Sequence, residues 1–336
     1  MSAKEPTPMN RERISGIARG FMGSRTLLTA HELGVFGALA EGPKSSLEVA
    51  WAVGGDPRGV DRLMRALVGL DLLELRSDGH FANTPAAAEH LVPGRPGFMG
   101  DLNHIAHLWT TWGTLTEAVR LGGKVPGPEI NDRGERWLEG FITAMHALAK
   151  PAAAGVIARM GLPAARRMLD VGGGPGTYAM AFVGAAEGRT ATVFDLPNVI
   201  PLTRRFVGEA GLTDRVSYVV GDMNKDELAD GGYDVVFVSA IIHMLSPEEC
   251  ARLMEKAARA LEPGGTVVVQ DFIMEEDRVR PTHGAMFALN MLVGTDDGDT
   301  YTSAEVAEWM KAAGLANVRT VDTERGTALV MGDRPA

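Results

Sequence analysis

The chain has 336 residues, 45% of them hydrophobic and 23% charged, with a formal net charge of −10 and a single cysteine, Cys250. One cysteine excludes an intrachain disulfide. An acidic chain with no basic tract is a poor fit to nucleic acid, whose affinity comes from neutralised phosphates. No continuous apolar run reaches the roughly 18 residues of a membrane span, and the opening "MSAKEPTPMNRER" lacks the apolar core of a signal peptide. The expectation is a cytoplasmic protein with a small-molecule partner, no membrane and no nucleic acid.

In chain order, residues 11 to about 95 read as helices. Ile14, Ile17, Phe21 and Leu28 recur at helical spacing, and "LLTAHELGVFGALAEG" reads as a second helix ended by glycine. "SSLEVAWAVGG" and "PRGVDRLMRALVGLDLL" continue the helical pattern. "LELRSDGHFANT" reads as a hairpin with Asp78-Gly79 at its turn. Helices plus a small hairpin make a winged-helix pattern. Its recognition helix would carry Arg58, Arg62 and Arg65, but Asp56, Asp61 and Asp71 cancel them. A subunit interface suits the apolar helices better than DNA, so the expected partner is a second copy, in a homodimer.

"VPGRPGFMG" reads as a connector, which divides the chain into a helical domain at 1–95 and a second domain at 96–336. Two helical stretches come next, "LWTTWGTLTEAVRLGG" and "RGERWLEGFITAMHALAKPAAAGVIARM". From residue 167 strand-like apolar runs alternate with helices: "RMLDVG", "TATVFD", "VSYVVGD", "YDVVFVSA" and "TVVVQDF". Such runs are strands buried on both faces of a mostly parallel sheet, so the class is α/β and Rossmann-like. Ligands on these sheets sit at the carboxyl ends of the strands.

The first run ends in Asp170 and the glycines Gly172, Gly174 and Gly176. A dinucleotide fingerprint G-x-G-x-x-G counted from Gly172 meets Thr177 at its sixth position, and counted from Gly174 it meets Ala179, which counts only under the looser G-x-G-x-x-A form; no Walker lysine is present. A carboxylate at Asp170 suits a cationic ammonium group better than a pyrophosphate. The second run ends at Asp195 and Leu196, where a carboxylate can accept from ribose hydroxyls. The third ends at Asp222 and Met223, which can take an adenine amine and pack on its ring. The set describes a site for an amino acid, a ribose and an adenine with no phosphate.

These stretches, with the later "ALEPGG" and the helical N-terminal module, closely resemble the class I S-adenosylmethionine-dependent small-molecule O-methyltransferases of the caffeic-acid and acetylserotonin type, including bacterial polyketide-tailoring members. The resemblance covers about residues 14 to 330. It implies S-adenosyl-L-methionine as cofactor and a small, aromatic hydroxyl acceptor. It also implies a general base at His243 in "VFVSAIIHMLSPEEC", oriented by Asp271 at the end of the fifth run. Imidazole has a pKa suited to taking a hydroxyl proton near neutral pH. Ser239 stands where the family has a lysine near the cofactor, Met244 where plant members have an aspartate, and Thr300 where they have a second acid. The family's substrate-lining helix falls on "HGAMFALNMLVGT", making Met286, Phe287, Asn290 and Met291 candidates. Met145 and Trp109 are further ones. No metal is expected: His104 and His107 lack a third ligand. C-methylation or a non-methylating use of the sulfonium is the alternative, with a nicotinamide-dependent dehydrogenase or a winged-helix regulator behind it.

Overall fold

The computed structural model describes residues 9–127, 134–229, 231–323 and 326–336. The chain divides into two compact units, 1–107 and 108–336. The division falls beyond the connector at 95, because Leu102 is buried in the N-terminal core.

The N-terminal unit opens with α1 (Arg11–Leu33), whose first turn is capped by Asn10 accepting from the Arg13 N–H. Gly34, at φ 77°, ends it in a left-handed cap. The expected second helix beginning at "LLTA" is therefore the last turns of α1, and only α2 (Val35–Ala38) follows the glycine. A capping box of Ser45 and Glu48 starts α3 (Ser46–Val53). Asp56 caps α4 (Pro57–Gly69), with proline in the first turn. Val60, Met64 and Leu67 of α4, spaced i, i+4, i+7, are buried among Phe36, Val49, Leu73 and Phe81. Strands β1 (Leu73–Leu75) and β2 (Phe81–Asn83) pair antiparallel, and α5 (Pro85–His90) follows. The hairpin and its Asp78-Gly79 turn match the sequence reading. Arg62 and Arg65 both pair with Asp61 of their own helix. Ile14, Ile17 and Phe21 are exposed along α1, Ile17 at 71%. Their stripe does not serve the unit's own core.

The second unit begins within α6 (Leu102–Trp112) and continues through α7 (Leu115–Leu121) and α8 (Glu135–Arg159). By length and mean hydropathy, Trp137–Arg159 is, among the described residues, the one helical stretch apolar enough to cross a membrane. Its Val156 and Ile157 instead pack with Met168, Phe182 and Val193 in the core against the sheet. Then come β3 (Arg167–Val171), α9 (Thr177–Gly184), β4 (Thr190–Asp195), α10 (Ile200–Glu209), β5 (Val216–Val220) and β6 (Tyr233–Ser239). A 3-10 turn (Ile242–Met244) leads to α11 (Pro247–Ala260) and β7 (Leu261–Asp271). The chain closes with α12 (Thr282–Gly294), α13 (Ser303–Ala312), β8 (Ala316–Asp322) and β9 (Ala328–Asp333).

The strands form one sheet in the order β5-β4-β3-β6-β7-β9-β8. The first five are parallel; β9 runs antiparallel to β7 and to β8. Leu169, Val193, Val236 and Val268 are fully buried, as runs without polar alternation require of a doubly covered sheet. Strand order reverses at β3, with β4 on one side and β6 on the other. That reversal opens a crevice at the carboxyl ends of these strands.

Candidate active site

Register sets the crevice. Val171 of β3 pairs with Phe194 of β4 and with Val238 of β6, and Asp195 pairs with Val220 of β5. The residues just after these pairs therefore line one edge: the glycine turn, Asp195–Leu196, Asp222–Met223 and Ser239.

Gly172, Gly174 and Gly176 adopt φ of 63°, 52° and 72°, in the left-handed region. At Gly172 a Cβ would also lie 2.5 Å from Ile241 Cδ1, so a side chain there would need both a strained backbone and a shifted Ile241. The turn is braced on both sides. Asp195 Oδ2 accepts from the Gly174 N–H at 2.7 Å, and the Thr203 hydroxyl donates to the Gly174 carbonyl at 2.6 Å. Asp195 Oδ1 accepts from the Leu196 N–H. Burial raises the Asp195 carboxyl above its ordinary range, against the pull of those two N–H groups.

Asp170 lies beneath the turn and is 1% exposed. Its Oδ2 accepts from the Ala179 N–H at 3.1 Å, tying β3 to α9. Burial lifts this carboxyl to about 7; the Ala179 N–H opposes the lift, and the nearby Asp195 adds to it. Asp222, at the far end of the edge, is half-buried. Its carboxylate is held low chiefly by the bond to Lys225, 2.8 Å away. Met223 packs on the core beneath it, and its carbonyl accepts from Lys256. The Ser239 hydroxyl donates to Gln270 Oε1 at 2.9 Å, so it is held from β7 rather than left loose.

Ala240 follows β6 with φ 55°, a rare conformation for a residue with a Cβ. The backbone turns sharply there and delivers His243 on the 3-10 turn. His243 is 8% exposed. Its Nδ1 lies 2.8 Å from Asp271 Oδ1, and its backbone N–H faces Asp271 Oδ2 at 3.4 Å. Because Asp271 is buried and also accepts from the Phe272 N–H, it is fixed as an acceptor. In the neutral ring Nδ1 thereby carries the proton, and Nε2 keeps its lone pair. Nε2 has no hydrogen-bond partner among the described residues.

Phe287 and Thr300 are named from the sequence; the other supports here carry no signal in it. The ring of Phe287 stands edge-on to His243, with centroids 4.9 Å apart and planes at 89°. Three contacts hold the histidine's turn from behind: the Tyr301 hydroxyl donates to the Leu245 carbonyl at 2.5 Å, Cys250 Sγ meets the Ile242 carbonyl at 3.4 Å, and Gly298 packs so closely that a Cβ would lie 2.4 Å from the His243 carbonyl. Thr300 is buried beside Tyr301 in the chain. On α8, His146 Nδ1 lies 2.8 Å from the Thr177 hydroxyl, and Ile142 faces Gly174. Burial holds the His146 imidazole below its usual range.

The residues named for an acceptor separate. Met291 is buried and Asn290 half-buried on α12, with Asn290 Oδ1 accepting from Trp112 Nε1 at 2.8 Å. Met145 is half-buried on α8, one residue before His146. Met286 and Trp109 are exposed.

A parallel sheet with a glycine turn at its reversal, acids on successive strand ends and a histidine–aspartate pair defines a small-molecule transferase class. Residues 116–316 match the O-methyltransferase domain family, and residues 16–93 match the O-methyltransferase dimerisation domain family. The chain belongs to the O-methyltransferase family. It is 35% identical to the 3-hydroxy-5-methyl-1-naphthoate 3-O-methyltransferase of Streptomyces sahachiroi, over 92% of this chain and 90% of that one. It is 33% identical to the tetracenomycin polyketide synthesis 8-O-methyl transferase TcmO of Streptomyces glaucescens, over 96% of each. The human N-acetylserotonin methyltransferase, solved in complex with SAM, superposes with a TM-score of 0.87 at 26% identity, covering 99% of this chain and 100% of that one.

Proposed function

We propose that the chain transfers a methyl group from S-adenosylmethionine to a hydroxyl of a small aromatic molecule, with His243 as general base. One observation carries this reading: Asp271 holds Nδ1 of a nearly buried imidazole while Nε2 stays unpartnered beside the strand-end crevice.

The crevice residues fit the donor. The glycine turn, with three positive-φ glycines and no side chains of its own at Gly172, Gly174 and Gly176, leaves backbone room for an amino-acid group. Asp170 shapes the turn from below, so its part is indirect, through Gly173 and α9. Asp195 keeps lone pairs beyond those given to Gly174 and Leu196, suited to ribose hydroxyls. Asp222 and Met223 suit an adenine amine and ring face, and Ser239 lines the strand end between them and His243. When bound, S-adenosylmethionine supplies a methyl group on a cationic sulfur that leaves as a neutral thioether.

His243 Nε2 accepts the hydroxyl proton as the oxygen becomes nucleophilic, and Asp271 stabilises the imidazolium so formed. Met291, Met145 and Asn290 frame the acceptor; Met286 and Trp109 form its outer rim. The exposed stripe of Ile14, Ile17 and Phe21 joins two chains as a homodimer.

Calorimetric titration with S-adenosylmethionine, followed by labelled methyl transfer to a panel of hydroxyaryl compounds, tests the reading. His243→Ala is expected to lower turnover by about 10²-fold or more while donor binding persists. Turnover within a few-fold of the parent across pH would remove the base role, and no binding of the donor would remove the whole reading.

A further inference from the structure

The loop after β5 carries Asp222 and Met223. Its own bonds make it a tight turn: the Lys225 and Asp226 N–H groups donate to the Asp222 carbonyl at 2.9 and 2.7 Å, and Asp226 Oδ2 accepts from the Asp222 N–H at 2.8 Å. Those bonds set the turn's shape but not its place. Its entry is pinned by the Gly221 N–H on the Asp195 carbonyl, and its exit by Leu228, which is buried in the core. Between these points, among the described residues, the hydrogen bonds that reach residues 222–227 from another element come from α11. Lys256 Nζ donates to the Met223 carbonyl at 2.8 Å and to the Asp226 carbonyl at 2.7 Å, and Arg259, three residues on along the same helix face, meets Glu227 at 2.7 Å. Lys256 is half-buried, and both of these partners are uncharged. Its charge also reaches Asp222 and, after Lys225, helps keep that carboxylate ionised. The Lys225 side chain is 80% exposed, so of the two cations Lys256 is the one tied to the scaffold.

We propose that Lys256 is the positioning residue for base recognition: from α11 it holds the Asp222–Met223 turn where the carboxylate meets the exocyclic amine of the donor's adenine, and so sets the preference for adenine over a base with oxygen at that place. This rests on the reading that the turn receives the donor's adenine. Lys256 acts through the two carbonyls and through the charge on Asp222. A 6-oxo base would set an oxygen against that carboxylate, which a site built to accept from an amine discriminates against strongly. Without the clamp the turn keeps its internal bonds but loses its fixed distance from the base, and both bases are then held alike.

Calorimetry with S-adenosylhomocysteine and S-inosylhomocysteine, in which an oxygen replaces the adenine amine, tests this. The parent protein is expected to bind the adenine compound at least about tenfold more tightly. Lys256→Met keeps most of the stem but neither donates nor carries charge, and the ratio should fall to within about threefold, through weaker binding of the adenine compound. Lys256→Arg keeps the charge and can donate to both carbonyls, so it should restore most of the preference. Lys256→Gln keeps a donor without the charge; its ratio should fall between, and it carries the test if the methionine variant does not fold. A merely structural loss would weaken both ligands alike and leave the ratio intact. A preference that survives in both Lys256→Met and Lys256→Gln overturns the role of Lys256 while the adenine reading stands. Equal binding of the two ligands by the parent overturns the adenine reading and the proposal with it.

Discussion

Asp170 sets up the sharpest stability test. The perturbation is Asp170→Asn, which preserves an oxygen to accept from the Ala179 N–H but cannot ionise. The carboxyl moves from 3.8 to about 7 on folding because burial penalises its charge. Below about pH 4 it is protonated in both states. Between pH 4 and 7 the unfolded chain gives up the proton while the folded chain keeps it, so the stability this group contributes is lost as pH rises, and the loss levels off above 7. Each pH unit in that window is worth about 1.4 kcal/mol, so from pH 5 to pH 8 the parent loses about 3 kcal/mol through this one group. The variant loses none of it. Any cost of accommodating the amide is independent of pH and leaves the slope alone. Urea unfolding of both proteins at pH 5, 6, 7 and 8 gives the difference directly, with titrating groups other than the neighbouring Asp195 cancelling. The variant should gain about 3 kcal/mol on the parent across the series. A difference flat to within about 0.5 kcal/mol would show that Asp170 ionises freely beneath the turn, and the reasoning from burial would be wrong.

Asp271→Asn should let the amide donate to Nδ1 and shift the proton to Nε2. Turnover should fall on the order of 10²-fold with donor affinity unchanged; an unchanged kcat would refute the tautomer argument. Gly172→Ala places a Cβ against Ile241 at a backbone angle that disfavours it, so titration should show donor affinity down about tenfold or more. Equal affinity would mean the turn is not where the donor sits. Ile17→Glu with Phe21→Glu charges the exposed stripe of α1, and sedimentation should then report monomers where the parent gives dimers. Persisting dimers would place the interface elsewhere.

Where one strong local rule governs, the sequence was readable. Uninterrupted apolar runs ending in Asp170, Asp195 and Asp271 are strands of a doubly covered sheet, and the site lies where those runs stop. Asp78-Gly79 marked the turn of the hairpin. Local rules failed where a partner far along the chain decides. The stripe of Ile14, Ile17 and Phe21 has the period of a core face, yet nothing in the period says whether the core is its own or another chain's. An acid at a strand end reads as ligand-facing, and only the packing of Gly173 over Asp170 reveals it as buried. Trp112 and Asn290 are 178 residues apart and show no shared pattern, and Tyr301 reaches Leu245 across 56. The break between α1 and α2 rests on a single glycine inside an apolar stretch, where period alone favours continuity.

Ala240 has a consequence for how this enzyme trades robustness against precision. At φ 55° an alanine costs about 1 kcal/mol that a glycine would not, and it lies three residues before the histidine. Relieving that tension with glycine would make the folded state easier to hold but would widen the range of directions in which the imidazole can point. Thermal resilience and turnover would then move in opposite senses at one position. Engineering this chain for endurance would do better to start elsewhere.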